Sequence, residues 1–310
     1  MSDTAQFKKL ALIGIGLIGS SIARGVRQKG LAEEIVCSAR THDTRRVAME
    51  LGVVDHAYEH SADAVKGADL VIFCTPVGTY GKIAEEIAPH LEKGALISDV
   101  GSVKKTVVDS IEPHIPEGVD FVAAHPVAGT EKSGPAAGFA ELFQSRWCIL
   151  TPSAKSRDEA VEKLSDFWAA LGSNVETMDP KHHDLVLAIT SHVPHLIAYN
   201  IVGTADDLEE VTQSEVIKYS AGGFRDFTRI AASDPTMWRD VFLHNKDAVL
   251  EMLGRFTEDL SALQRAIRWD DGDTLFQMFS RTRAIRRQII DAGQETAETD
   301  FGRAPKGEGE

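Results

Sequence analysis

The chain has 310 residues, an apolar content of 43% and a net charge of −14, so it can bury a large core and form two domains. An acidic surface repels phosphate backbones, which excludes nucleic acid as the expected partner and favours a small molecule. No export signal precedes the first strand and no apolar run approaches the roughly 20 residues of a membrane span, so we expect a cytoplasmic protein with no membrane contact.

The first 178 residues alternate short β-branched runs with helical stretches. Such alternation predicts a parallel sheet wrapped by helices, which is an α/β domain over residues 1–178. The expected strands are 10–15, 35–37, 70–73, 95–98, 119–123 and 148–150.

From residue 180 the pattern changes to long helical stretches with few strand signals, which predicts an all-helical domain over residues 179–295. The expected helices are 181–205, 208–220, 235–268 and 272–293. These stretches carry too many apolar positions for isolated helices, so we expect this domain to form a homodimer interface as well. The polar tail, 296–310, is expected to be disordered.

A G-x-G-x-x-G motif lies between the first apolar strand and a helical stretch. Gly14 permits the tight turn, Gly16 lets a pyrophosphate approach the backbone, and Gly19 lets the helix pack closely on the strand. The expected helix runs from Ser20 to Gln28, and Leu17 and Ile18 lie just before it, at the N-terminal end where free N–H groups favour the negative charge of a pyrophosphate. The motif therefore predicts a Rossmann-type domain that binds NAD or NADP.

The end of the second strand bears on the choice between these cofactors. An acidic residue usually binds the ribose hydroxyls about 20 residues after the glycines and signals NAD, but this chain has Ala39 at that position. Ser38, Arg40 and Arg45 offer groups that bind a 2′-phosphate. The sequence therefore favours NADP, with stacking of Arg40 on adenine and use of NAD as the alternative.

Three later strand ends carry polar or turn-forming residues, and the carboxyl ends of parallel strands face the ligand crevice. Thr75 and Pro76 end one strand, Ser102 follows the next close to the expected N-cap of a helix, and His125 comes just after the strand 119–124. A serine there fits a helix cap as well as a catalytic hydrogen bond. Because histidine accepts protons near neutral pH, His125 is the predicted base for oxidation of an alcohol.

Two histidines, His192 and His195, lie three residues apart on one helix face. The acid and the spacing of histidine-rich metal motifs are absent, so no metal is expected. We predict a buried structural role for His192, a substrate-facing role for His195 and a kink at Pro194.

Further polar groups are candidates for binding an anionic substrate. Thr130 and Glu131 follow His125 in a glycine-containing loop. Gly222 and its neighbour interrupt the helical pattern before two arginines, Arg225 and Arg229. Since arginine binds a carboxylate through two parallel hydrogen bonds, we expect Arg229 to hold a substrate carboxylate, and Arg225 to pair with a neighbouring aspartate at the surface.

With these motifs, the chain resembles the prephenate/arogenate (cyclohexadienyl) dehydrogenases of tyrosine biosynthesis from about residue 8 to 293. The resemblance rests on the segments G-I-G-L-I-G, D-V-G-S-V-K, H-P-V-A-G-T-E-K-S-G, S-H-V-P-H and G-G-F-R-D-F-T-R-I-A-x-S-D-P-x-M-W-R-D. It implies NAD(P)-dependent oxidative decarboxylation of prephenate to 4-hydroxyphenylpyruvate, or of arogenate to tyrosine.

The resemblance also implies roles for single residues. His125 matches the histidine that accepts the proton of the ring C4 hydroxyl, Ser102 its hydrogen-bonding helper, and Arg229 the residue that holds the ring carboxylate. The pocket neighbours that it implies are His195, Gly222 and Trp238. Many family members carry aspartate at the position of Ala39, so the choice between NAD and NADP stays open, as does that between prephenate and arogenate.

Two alternatives remain at this point. One is another two-domain hydroxyacid or imino-acid dehydrogenase, on which prephenate would be inert. The other is a non-catalytic dinucleotide sensor, which would need neither His125 nor Arg229.

Overall fold

A computed structural model describes residues 5–130, 132–207 and 221–291. The chain divides into two compact units, Met1–Leu250 and Glu251–Glu310. The predicted helix 208–220, the predicted disordered tail and Glu131 lie outside the described residues.

The first unit contains a six-stranded, fully parallel sheet in the order β3-β2-β1-β4-β5-β6. Its strands are β1 (Phe7–Ile13), β2 (Ala32–Ser38), β3 (His56–Tyr58), β4 (Leu70–Phe73), β5 (Leu96–Asp99) and β6 (Asp120–Phe121). This order is that of the Rossmann fold, in which the strand order reverses between β1 and β4 and opens a crevice at the carboxyl ends. The predicted parallel sheet is confirmed, except that the expected strand 148–150 does not belong to it and lies in a second sheet.

Helices cover both faces of this sheet. They are α1 (Leu17–Lys29), α2 (His42–Glu50), α3 (Ser61–Ala64), α4 (Tyr80–Ile87) and α5 (Lys105–Ile111), and α6 (Asp158–Ala170) follows. Along β1, Leu10 and Leu12 enter one buried cluster, whereas Ala11 and Ile13 enter the other. The strands are therefore apolar on both sides, as a sheet buried on both faces requires.

A second, three-stranded sheet was not predicted. It consists of β7 (Ala123–Pro126), β8 (Trp147–Thr151) and β9 (Asn174–Thr177), with β7 and β8 antiparallel and β8 and β9 parallel. The expectation that His125 follows a strand is wrong, because His125 lies within β7 and pairs with Ile149. The apolar run does not end: the Val122 N–H still bonds to Ile97 O in the first sheet, and the chain then enters the second.

All regular elements in the described part of the chain after residue 178 are helical, which confirms the predicted class. They are α7 (Pro180–Leu187), a π-helical turn (Ala188–His192), α8 (Val193–Asp207), α9 (Gly222–Thr228), a 3-10 turn (Arg229–Ala232), α10 (Pro235–His244), α11 (Lys246–Arg268) and α12 (Gly272–Asp291). Aspartate caps and a following proline start α7 at Asp179 and α10 at Asp234.

Two local expectations differ from this arrangement. The predicted helix 235–268 is interrupted at Asn245, which is the C-cap of α10. Gly222, which was expected to interrupt a helical pattern, is the first residue of α9, and residues 208–220 before it lie outside the described part of the chain. Near Pro194 the irregularity is the π-helical turn that immediately precedes α8, where a proline without an N–H cannot complete regular α-helical bonding.

The segment Pro180–Asp207 is long and apolar enough to cross a membrane by length and composition, with a mean hydropathy of 1.5 over its most apolar window. The expectation that no run approaches this length was wrong, because the leucine, isoleucine, valine and alanine residues of the segment outweigh its polar residues in the mean hydropathy. One such helix is weak evidence for a membrane span, because core helices of other proteins meet the same criterion.

Candidate active site

The glycine turn after β1 leaves a cradle at the start of α1. Gly14 has a φ of +98°, and a Cβ there would lie 2.9 Å from the backbone of Cys74. A Cβ at Gly19 would lie 2.5 Å from Gly14 O, whereas one at Gly16 would meet nothing within 4 Å. No side chain caps this 13-residue helix at Gly16. The open space above uncapped N–H groups fits the pyrophosphate of a dinucleotide, with Leu17 in the first turn.

The turn after β4 faces the glycine turn. The methyl group of Thr75 would lie 2.9 Å from a Cβ at Gly14, so the two turns are in van der Waals contact. The Thr75 hydroxyl lies 2.8 Å from that of Thr79, and Pro76 is the N-cap of the short 3-10 turn that follows. The structure therefore brings Thr75 and Pro76 to the predicted cofactor edge, and the half-buried Ile18 lies in the first turn of α1.

At the end of β2, the groups expected to bind a 2′-phosphate are in different environments. Ser38 is buried and its hydroxyl lies 3.1 Å from a serine hydroxyl of α3. Arg45 donates hydrogen bonds to the backbone oxygens of Ala39 and Arg40 and forms a 3.0 Å ion pair with Glu59. Arg40 itself is exposed, and its side chain contacts no partner among the described residues. Arg40 is therefore the residue of these three whose positively charged side chain forms no ion pair or hydrogen bond with the described residues.

His125 is 6% exposed and forms the centre of a buried polar cluster. Its Nδ1 lies 2.8 Å from Nε2 of His183, and Nδ1 of His183 lies 2.9 Å from Oδ1 of Asp184. Burial, and then the nearby His183 and Lys104, hold the pKa of His125 well below its usual value. The imidazole is therefore neutral near pH 7 and available to accept a proton.

A buried ion pair fixes the backbone next to His125. Lys104 and Asp99 are both fully buried, and Nζ of Lys104 lies 2.5 Å from Oδ2 of Asp99. Lys104 donates to the carbonyl of Ala124 at 2.7 Å, and Asp99 accepts from the N–H of Ala124 at 3.1 Å. Both polar groups of the preceding residue are thus held by opposite charges, which restricts where His125 can lie.

Ser102 was expected close to the N-cap of a helix, but the cap residue of α5 is Lys104 and its side chain makes no capping bond. Asp184, from a helix remote in sequence, accepts the N–H groups of Lys104 at 2.7 Å and Lys105 at 2.9 Å. The cap is therefore supplied by tertiary structure, and the half-buried Ser102 hydroxyl is not needed for it.

The helical segments contribute a second group of ring side chains. The ring of His195 stacks on Trp238 at 3.7 Å between centroids, and its Nδ1 lies 2.9 Å from the carbonyl oxygen of Ser191. Because a carbonyl accepts, Nδ1 carries the proton and Nε2 is an acceptor. Burial lowers the pKa of His195, and the charge of Arg229 acts in the same direction, so Arg229 lies near this ring.

His192 connects the two groups. It is fully buried, as predicted, and its Nδ1 accepts from Nδ2 of Asn245 at 3.0 Å, while the same amide donates to Asp184 O at 2.8 Å. Burial lowers the pKa of His192 to about 4, and the backbone of Ser102 acts in the opposite direction.

Several predicted site residues thus meet in one region, but not all. Thr130 makes a local contact, accepting from the N–H of Lys132 at 3.2 Å, and Gly222 occupies the first turn of α9. Sequence reasoning missed His183, Asp184 and the Asp99–Lys104 pair. The available signal was the run His182-His183-Asp184 after a proline, but nothing in it points to His125, which is 58 positions away.

Two family models match the chain. The prephenate dehydrogenase nucleotide-binding domain matches residues 22–177, and the prephenate dehydrogenase dimerization domain matches residues 179–281.

Similar proteins carry related names. The cyclohexadienyl dehydrogenase of Zymomonas mobilis is 42% identical over 90% of this chain and 95% of its own length. The prephenate dehydrogenase of Bacillus subtilis is 36% identical over 92% of this chain and 76% of its own. Among solved structures, prephenate dehydrogenase from Aquifex aeolicus, in complex with hydroxyphenyl propionate and NAD+, superposes with a TM-score of 0.86 at 32% identity, covering 93% of this chain and 100% of the other.

Proposed function

The chain belongs to the prephenate dehydrogenase family, and we propose the chemistry that its residues perform in that role. It is an NAD(P)-dependent oxidoreductase of tyrosine biosynthesis, which oxidatively decarboxylates prephenate, arogenate or both. The observation that carries the proposed site is the position of His125: a buried, neutral imidazole in β7, in the domain that also holds the glycine cradle.

His125 accepts the proton of the ring C4 hydroxyl, and Ser102 hydrogen-bonds to the same hydroxyl. Bound NAD(P)+ supplies the acceptor for the hydride that leaves C4. The ring carboxylate then leaves as CO2, which restores aromaticity and yields 4-hydroxyphenylpyruvate from prephenate or tyrosine from arogenate. Since product aromaticity drives the second step, the protein has mainly to position the ring and supply a base and an electrostatic clamp.

Arg229 is the clamp on the ring carboxylate. Its half-buried position next to His195 supports this role, because a guanidinium in a partly dry site binds a carboxylate more strongly than one in water. His195, Trp238 and Gly222 line the same pocket. Thr130 and Glu131 contribute polar groups from the loop after β7, with Glu131 outside the described residues.

For the cofactor, we propose that NADP+ is accepted at least as well as NAD+. Ala39 places no carboxylate where a 2′-phosphate would lie, and the exposed guanidinium of Arg40 is unpaired among the described residues. Arg45, which the sequence also offered as a phosphate ligand, does not take that role in this proposal, because its guanidinium binds the local backbone and Glu59. Ser38 contributes only if its hydroxyl leaves its partner in α3.

For the domains, we propose that residues 1–178 bind the dinucleotide and that residues 179–295 bind substrate and form a homodimer, in the cytoplasm. Within the second compact unit, large apolar side chains are exposed, with Trp269 at 77% and Phe276 at 73%. Exposed apolar surface of this kind marks an interaction site, and the family model over residues 179–281 is a dimerization domain. Light scattering at micromolar concentration tests this, and a monomer rejects it.

The decisive assay measures initial rates with prephenate or arogenate and with NAD+ or NADP+, in all four combinations, by the absorbance of reduced nicotinamide. Activity in any combination establishes the reaction and both preferences together. No activity in any, with cofactor binding intact, rejects the proposed substrates and favours another two-domain hydroxyacid or imino-acid dehydrogenase.

A further inference from the structure

A continuous line of hydrogen bonds joins His125, His183 and Asp184. The carboxylate of Asp184, at one end, determines which nitrogen of each imidazole carries the proton. The N–H groups of Lys104 and Lys105 both point at the Asp184 carboxylate, at 2.7 and 2.9 Å. Backbone N–H groups can only donate, so this carboxylate is an acceptor toward them. An ionised carboxylate has no proton to offer and accepts from Nδ1 of His183 as well, at 2.9 Å.

This assignment determines the state of both imidazoles. With its proton on Nδ1, a neutral His183 has only a lone pair on Nε2, which therefore accepts from Nδ1 of His125 at 2.8 Å. His125 must then be the tautomer protonated on Nδ1, and its Nε2 carries the lone pair. The opposite tautomer would put two lone pairs against each other in a buried contact, because both rings are at most 6% exposed.

Neutrality of His183 follows from its surroundings. Burial lowers the pKa of His183, while the bond to Asp184 opposes that shift, and the charge of Lys104 acts in the same direction as burial. The titratable and charged groups around His125 and His183 are the carboxylates of Asp184 and Asp99, the ammonium of Lys104 and the imidazole of His192.

We propose that His183 and Asp184 are positioning residues that hold His125 as the Nδ1–H tautomer, with Nε2 free to accept the substrate proton. When His125 takes that proton, the imidazolium still donates through Nδ1 to His183, so no hydrogen bond in the line has to break. Asp184 balances the new charge through His183. This inference rests on the proposed role of His125 as base, but the tautomer itself is a property of the protein without substrate.

The first test is therefore independent of activity. Nitrogen-15 NMR of the histidine-labelled enzyme, at neutral pH and without substrate, reports which ring nitrogen of His125 is protonated, with His125→Asn used to assign the signal. We expect Nδ1 protonated and Nε2 unprotonated. An Nε2–H tautomer overturns the proposal. If the tautomer is as expected but all four substrate assays are silent, the proposed reaction fails and the positioning role stands.

The second test compares two substitutions at one position. His183→Leu removes the acceptor, whereas His183→Gln keeps an amide oxygen that can accept from His125. We expect His183→Leu to lower kcat by about 10²-fold or more, because a base in the wrong tautomer cannot accept the proton, with KM and the Kd for cofactor nearly unchanged. His183→Gln should recover kcat to within about tenfold of the wild type. Equal losses in kcat for both variants overturn the proposal.

Controls separate positioning from folding. His182 is the exposed neighbour on the same helix, and His182→Leu should leave kcat, KM and Tm unchanged; a loss equal to that of His183→Leu overturns the assignment. Should His183→Leu not fold, Asp184→Ala is the second variant. It removes the acceptor of the His183 Nδ1 proton, so His183 is no longer held as the Nδ1–H tautomer and an Nε2–H signal of His125 should appear. A wild-type Nδ1–H signal alone in folded Asp184→Ala overturns the proposed role of Asp184.

Discussion

The cofactor cradle and the cluster around His125 are neighbouring parts of one site, but they are built in opposite ways. The cradle comes from six consecutive residues, Gly14 to Gly19, and depends on backbone N–H groups and on missing side chains. The cluster joins β5, β7, α5 and α7 through buried charges and imidazoles that are far apart in sequence. The first arrangement binds a ligand of fixed chemistry, whereas the second controls a proton.

The contrast predicts that substitutions in the cluster reduce turnover and substitutions in the cradle reduce cofactor affinity. The largest effect is expected at His125. Replacing it with asparagine keeps a polar group in β7 but removes the proton acceptor, so kcat should fall by about 10²- to 10⁴-fold. KM should change little. Steady-state kinetics with the preferred substrate measure both, and wild-type turnover would remove His125 from the proposed role.

The same variant has a pH signature. Activity of the wild type requires neutral His125 and is lost as pH falls through its pKa, which burial holds well below the ordinary 6.5. The acid limb of kcat/KM should therefore lie below pH 6.5 in the wild type. In His125→Asn that limb should be absent, and an unchanged limb would assign it to another group.

Arg229→Ala should produce the next largest effect, on substrate binding. Losing a hydrogen bond to a charged group costs about 1.5–3 kcal/mol, which corresponds to a KM roughly 10- to 150-fold higher. Arg225 is exposed and precedes Arg229 by one helical turn, so Arg225→Ala is the matched control and should leave KM unchanged. If both variants behave alike, the carboxylate clamp lies elsewhere.

Substitutions at two glycines of the cradle distinguish residues that contact the cofactor from residues that stabilise the fold. A Cβ at Gly19 would collide with Gly14 O at 2.5 Å, and one at Gly16 would meet no protein atom within 4 Å. Gly19→Ala should therefore lower Tm and weaken cofactor binding, with an overpacking cost of about 1–3 kcal/mol. Gly16→Ala should keep Tm and weaken only the cofactor. Calorimetry and a fluorescence titration measure the two, and unaltered affinity in Gly16→Ala contradicts the pyrophosphate assignment.

The smallest effect is expected for Ala39→Asp. A carboxylate at the end of β2 repels a 2′-phosphate and bonds to ribose hydroxyls, so kcat/KM should shift toward NAD+ by about tenfold, one repulsive contact of roughly 1.4 kcal/mol. Arg40→Gln should lower kcat/KM for NADP+ alone. An unchanged cofactor ratio in both variants would place the phosphate contact outside this loop.

The sequence predicts the cradle well because its physics is local. A glycine at positive φ, a second with open space and a third against the strand are all determined within one turn, and Gly14, Gly16 and Gly19 lie as expected. The strands of the parallel sheet were also predictable, because burial of both faces makes each strand a continuous apolar run in the sequence.

The cluster was only partly predictable, because its contacts are tertiary. The expected serine cap near Ser102 is replaced by Asp184, and a strand that should end before His125 continues into a second sheet. The intrinsic preference of a residue for helix or strand does not reveal that a carboxylate 80 positions away will cap the helix, or which strand will pair with a given strand. The complete burial of Lys104 was likewise not predictable from the sequence, since it depends on Asp99 and Ala124 being adjacent in space.

Asp184 couples a helix cap to the active site, because its carboxylate caps the N-terminus of α5 and also orders the hydrogen bonds of His183 and His125. Any opening that moves α7 away from α5 and β7 exposes two helix N–H groups and at once separates His183 from His125. Such sub-global openings are less costly than complete unfolding. On heating, activity should therefore disappear before helical circular dichroism does, with the amide protons of Lys104 and Lys105 exchanging at the same temperature as the loss of turnover.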